Sequence, residues 1–75
     1  MPDTGGERLL ATLWELAWND ERISCTIYRR DDGFQLRLES TTTVLLTEAV
    51  ELQPRTFART QALRASLKRR GWRES

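Results

Sequence analysis

Two alternating segments joined by Asp31-Asp32-Gly33 constrain this chain more than any other feature. Ile23, Cys25 and Ile27 alternate with Ser24, Thr26 and Tyr28, and Phe34, Leu36 and Leu38 alternate with Gln35, Arg37 and Glu39. A period of two puts each set on its own face of a strand. The isoleucines and Thr26 suit a pleated, half-buried surface. Gly33 takes positive φ without strain, so the Asp-Gly step predicts a hairpin turn. Residues 22–39 are therefore expected to form an antiparallel hairpin with one apolar face. A lone hairpin is marginal in water, so the flanking segments must cover that face.

Before the hairpin, Leu9, Leu10, Leu13, Leu16 and Ala17 follow one another at largely helical intervals. That spacing predicts a helix from about Gly6 to Trp18, ended by Asn19-Asp20. Thr4-Gly5-Gly6-Glu7 has the form of a capping box for its start. After the hairpin, Ser40-Thr41-Thr42 reads as a turn and a third strand starts near Thr43. Val44, Leu46, Val50 and Leu52 share one parity, but Glu48 interrupts it, which predicts a bulge near Thr47-Glu48 or the end of the strand. Pro54 suits the first turn of a second helix, Arg55 to Arg70. Gly71 suits its C′ position, with Trp72 folding back as the accompanying apolar contact.

The predicted architecture is a single α+β domain over residues 1–75, ordered α-β-β-β-α. It is a three-stranded antiparallel meander with two helices packed on one face. Residues 1–5 and 73–75 are expected to be loose. The expected core is Leu9, Leu13, Leu16, Ile23, Cys25, Ile27, Phe34, Leu36, Leu38, Val44, Leu46, Phe57, Leu63 and Leu67, with Trp72 at its margin.

Charge divides the chain in two. Pro54 to Ser75 holds seven basic residues and one acidic residue, a net charge of +6. The first 53 residues hold five basic and ten acidic residues, a net charge of −5. On the second helix, Arg55, Arg59 and Arg69 run along a stripe with Ala62 and Ser66, and Arg70 flanks it. These four arginines are the candidate polyanion-binding residues, because guanidinium groups pair bidentately with phosphate. A solvated face that complements the helix dipole is the plainer alternative. Arg64 and Lys68 lie near the apolar face and must snorkel to water. Tyr28, Arg30, Gln35 and Arg37 form a polar, partly basic sheet surface of a type that receives single-stranded nucleic acid or is simply solvated. Trp14 and Trp18, four residues apart, are candidate interface residues, since exposed tryptophans are enriched at hot spots. Packing into the core is the other reading for them.

Enzyme chemistry finds little support. There is one cysteine and no histidine, so Cys25 has no imidazole base and no intrachain disulfide is available. The paired acids Asp31-Asp32 and Asp20-Glu21 fall at turns, where carboxylates serve the backbone. No phosphate-binding glycine loop or nucleophile elbow is present. No cofactor, metal or small-molecule substrate is expected. No apolar run reaches the ~20 residues of a membrane span, and the N-terminus lacks the pattern of a secretory signal. A reducing cytoplasm is the expected setting. A core this small rarely yields more than about 3–5 kcal/mol without a staple. Self-association, as a homodimer, or binding to another protein is therefore the leading expectation, with nucleic-acid binding as the alternative.

The α-β-β-β-α order resembles the double-stranded-RNA-binding domain in topology alone. The second helix starts Pro54-Arg55-Thr56-Phe57, where that family has lysines, and the basic cluster Lys68-Arg69-Arg70 lies at its other end. Residues 22–72, with the hairpin, a third strand and a basic helix closed by Gly71-Trp72, are similar to short uncharacterised bacterial α+β proteins. That similarity implies a compact cytoplasmic protein and carries no activity.

Overall fold

A computed structural model describes residues 7–74. Among these residues, five antiparallel strands form one sheet, and a single helix crosses one of its faces. The strands are β1 (Arg8–Trp18), β2 (Glu21–Arg30), β3 (Gly33–Ser40), β4 (Val44–Val50) and β5 (Arg73–Glu74); helix α1 (Pro54–Arg69) lies between β4 and β5 in the chain. Their order across the sheet is β4-β3-β2-β1-β5. The slab measures 39 × 29 × 16 Å, thin enough for one sheet and one helix layer.

The expected two-helix α-β-β-β-α meander is overturned, because residues 8–18 are a strand. Two bulges explain the misleading spacing. Leu9 pairs with Tyr28 and Ala11 with Ile27, leaving Leu10 as an extra residue; Thr12 pairs with Thr26 and Trp14 with Cys25, leaving Leu13 extra. Each bulge inserts one residue and resets the alternation. Side chains on the helix-facing side therefore fall at Ala11, Trp14, Leu16 and Trp18. A three-residue step among two-residue steps imitates helical periodicity. The region read as a capping box falls largely on residues 1–6, outside the described residues. Asn19 does adopt positive φ (56°), but in the two-residue turn joining β1 to β2.

The predicted hairpin is present. Ile23, Cys25 and Ile27 pair with Ser40, Leu38 and Leu36, in a register set around Arg30 and Gly33. Gly33 has φ 137°, as the turn requires. The third predicted strand is β4, but its irregularity lies elsewhere. Leu38 faces Leu46 while Glu39 faces Val44, so Leu45 is the bulged residue. Glu48 stays in register opposite Leu36, on the helix-facing side.

The core consists of Trp14, Leu16, Ile23, Cys25, Ile27 and Leu36, with Leu13, Phe34, Leu38, Val50, Leu63, Leu67 and Trp72 packed partly against it. Trp14 replaces several expected members, since Leu9, Val44, Leu46 and Phe57 are exposed. The helix meets the sheet through Thr56 and Thr60, both buried, and through the partly buried Leu63 and Leu67, rather than through Phe57. Their hydroxyls are satisfied within the chain: Thr60 Oγ1 donates to Phe57 O and Thr56 Oγ1 to Glu51 O. Small side chains whose polar atoms bond locally let the helix sit close to the sheet without leaving these two hydroxyls unsatisfied.

The helix end follows its predicted form. Gly71 N–H donates to Lys68 O and Trp72 N–H to Leu67 O, the two bonds of a Schellman motif. Gly71, with φ 115°, then turns the chain back along β1. Arg73 and Glu74 pair there with Ala17 and Leu16 as β5, on residues expected to be loose.

Candidate functional site

The structure separates the two candidate tryptophans. Trp14 is buried, and its Nε1–H donates to Thr60 O at 3.1 Å, fastening β1 to the middle of α1. Trp18 points to the same side of the sheet but lies beyond the helix, half exposed. Its ring meets that of Trp72 at 5.7 Å in an edge-on arrangement. Of the two, only Trp18 is accessible to a partner.

The arginine stripe is also divided. Arg59 is paired with Glu48 on β4, which holds its guanidinium charged more firmly than usual. On the opposite flank of the helix, Arg64 and Lys68 both reach Glu74 of β5. Lys68 contributes most to holding the Glu74 carboxyl below its ordinary range. The basic helix is thus tied to acids at both sides of the sheet, so part of the charge asymmetry in the sequence positions the helix. Among the described residues, Arg55, Arg69, Arg70 and Arg73 have no carboxylate partner. Arg55 lies in the first turn of the helix, whereas Arg69, Arg70 and Arg73 surround its C-terminal end near Trp72. Of the predicted stripe, Arg59 is thus ion-paired, while Arg55 and Arg69 lie toward the two ends of the helix.

The face of the sheet away from the helix carries Thr12, Ser24, Thr26, Tyr28, Gln35, Arg37, Glu39, Thr47 and Ala49. Arg37 dominates its chemistry. Its guanidinium lies 4.0 Å from the Tyr28 ring centroid, and Nε–H donates to Gln35 Oε1 at 2.8 Å. It also pairs with Glu7 and, at 3.8 Å, with Glu39. Burial and the Glu39 charge push the Tyr28 hydroxyl pKa up. Two carboxylates around one guanidinium leave this face with no surplus of positive charge. Arg30 stands apart, exposed at the hairpin end.

The two edges of the sheet differ most of all. One edge is completed by β5 along the end of β1, and β1 itself carries the bulges at Leu10 and Leu13. The other edge is β4, which among the described residues has a neighbour on one side only. Val44, Leu45 and Leu46 on it are 49%, 51% and 38% exposed. Val44 and Leu46, both expected in the core, are exposed for different reasons. Leu46, opposite Leu38, is on the helix-facing side but is left uncovered, with residues 8–18 not forming a second helix, whereas Val44, opposite Glu39, is on the face away from the helix. The run Val44-Leu45-Leu46 beside a third-strand assignment was the available signal for an exposed edge.

Cys25 is buried beneath the helix, and burial pushes its thiol up to about 11. No group of acidic or cysteine side chains suited to a metal ion occurs among the described residues. No helix there is long and apolar enough to cross a membrane. Comparison with family models, curated proteins and solved structures found no match to this chain.

Proposed function

We propose that this chain is a non-catalytic interaction module that works in a self-associated form. The observation that carries this reading is the apolar segment Val44–Leu46, exposed in a domain whose buried core, among the described residues, has six apolar side chains. A domain this small buries only about 60% of the surface of its unfolded chain. Association through apolar surface would add the burial that the fold lacks. The buried Cys25, whose raised pKa keeps it a thiol at neutral pH, supports a non-catalytic reading, because the thiolate is the reactive form. A cytoplasmic setting accords with one unpaired cysteine. Sedimentation equilibrium over a wide concentration range tests the proposal. An oligomer that dissociates on dilution is expected, and a monomer at every concentration would refute it.

A second reading is favoured by a separate observation: Arg69, Arg70 and Arg73 have no acidic partner among the described residues and lie near the exposed Trp18, whose ring meets the half-buried Trp72. Cations beside an accessible aromatic ring suit a single-stranded nucleic acid. Binding that weakens steeply with salt, and is lost in Arg69→Glu/Arg70→Glu with the fold intact, is the expected result under this reading. Equal binding by that variant would remove it. Arg59 would be a poor test, because its loss would also release Glu48.

A further inference from the structure

We infer that the β4 edge pairs, antiparallel and about a two-fold axis, with the β4 edge of a second copy of this chain. The inference rests on the self-association proposed above and assigns it a surface.

An edge strand presents alternate backbone N–H and C=O groups outward, and another extended strand satisfies them best. Proteins usually blunt such an edge with lysine, proline, bulges or a covering element. The β1 side uses two of these devices, the bulges at Leu10 and Leu13 and the added β5. β4 contains no lysine, arginine or proline, and its one bulge, at Leu45, leaves Leu46–Val50 in regular register with β3. The sequence of β4 thus presents a pairing surface where the opposite edge is protected.

Charge selects the partner. The only ionised side chain on β4 is Glu48, and Arg59 of the same copy already neutralises it. An edge without net charge accepts a strand that is itself apolar and uncharged. Among the described strands, β5 is the two residues Arg73–Glu74, and the uncovered part of β1 begins with Arg8 and carries both bulges. β4 is the strand of this chain that matches β4. With the axis at Thr47, the two Thr47 side chains meet on the open face, a favourable cross-strand pair. Leu46 then lies opposite the partner's Glu48, and no two like charges stand directly opposed. The symmetry is closed, so one contact yields a dimer rather than a fibre. The joined sheet would have ten strands, within the range open sheets reach. Both helices would lie on the same face of it.

The test combines sedimentation with amide hydrogen exchange on the unmodified protein. A dimer is expected in which alternate amides of Leu46–Val50 are protected, with protection that falls on dilution. The double variant Val44→Lys/Leu45→Lys changes two exposed side chains and is expected to be monomeric at concentrations where the wild type is dimeric. If the wild type is monomeric throughout, self-association itself fails. If it is dimeric while the outward β4 amides exchange freely, or if a folded double variant remains dimeric, self-association stands and the β4 assignment is overturned. Should the double variant not fold, the exchange pattern of the wild type decides.

Discussion

The β1 and β4 sides of this sheet begin from similar material and end in different states. Both strands mix leucines with polar residues, yet Trp14 and Leu16 of β1 are buried while Val44, Leu45 and Leu46 of β4 are exposed. The helix accounts for the difference. It starts after β4, crosses the sheet and ends beside β1, where its Schellman turn delivers β5 to the edge. The β1 side therefore gains a helix, a strand and the Trp14–Thr60 hydrogen bond. The β4 side gains the Arg59–Glu48 ion pair, an exposed contact of the kind usually worth little. One helix covers only part of a five-stranded sheet, and the uncovered part is where surface remains for a partner.

Truncating the covered side should have the largest effect on this contrast. Trp14→Ala removes the central aromatic of the core and should cost about 3–5 kcal/mol. That is comparable with the whole stability expected of so small a core, so urea titration should find the variant largely unfolded. Trp14→Phe keeps most of the apolar area but loses the bond to Thr60 O, and should cost about 1 kcal/mol from the hydrogen bond alone. Leu45→Ala on the open side should change the stability of the monomer by about 0.5 kcal/mol or less. Similar losses for Trp14→Ala and Leu45→Ala in the monomer would erase the distinction between the two sides.

Gly71→Ala should come next. Nothing lies within 4 Å of an added Cβ, but φ is 115°, so the cost is one of backbone conformation. About 1–2 kcal/mol is expected. The amides of β5 should lose protection and the near-ultraviolet circular dichroism of the Trp18–Trp72 pair should weaken. Unchanged protection of β5 would show that the Schellman turn does not hold this edge.

Acid should act on the same edge more gently. The Glu74 carboxyl is held below its ordinary value of 4.5, chiefly by Lys68 and also by Arg64. Its contribution is fully present above pH 4.5 and is lost as pH falls through the lowered value. Glu74→Gln should remove that part of the acid dependence in thermal melts. An identical pH profile for the variant would show that Glu74 does not couple β5 to the helix. The smallest effect is expected from Arg59→Ala, which releases Glu48 on the open side. Its melting temperature should stay close to that of the wild type, and a large fall would show that the β4 side depends on this pair.

Several local features were legible in the sequence because local chemistry decides them. The hairpin of β2 and β3 follows from strict alternation and from Gly33, which turns the chain without steric cost. Helix α1 follows from Pro54 and from the Gly71-Trp72 closure, whose hydrogen bonds form among neighbours in sequence. The four candidate arginines were identifiable as cations, but only contact with Glu48 distinguishes Arg59 from Arg55, Arg69 and Arg70. Trp14 and Trp18 looked equivalent at a helical interval and are separated only by whether α1 lies above them.

The state of residues 8–18 was decided by tertiary structure. Their leucine spacing suits a helix, yet pairing with β2 wins, and the bulges at Leu10 and Leu13 absorb the mismatch in period. Strand pairing depends on a partner far along the chain and on burial against the helix, neither of which a local pattern contains. β5 has the same origin, since two residues gain a strand only because the helix ends beside β1. The sequence by itself determined where the chain turns, where α1 begins and ends, and where positive charge gathers. Only the folded sheet decided which apolar residues are covered, because one helix must be shared among five strands.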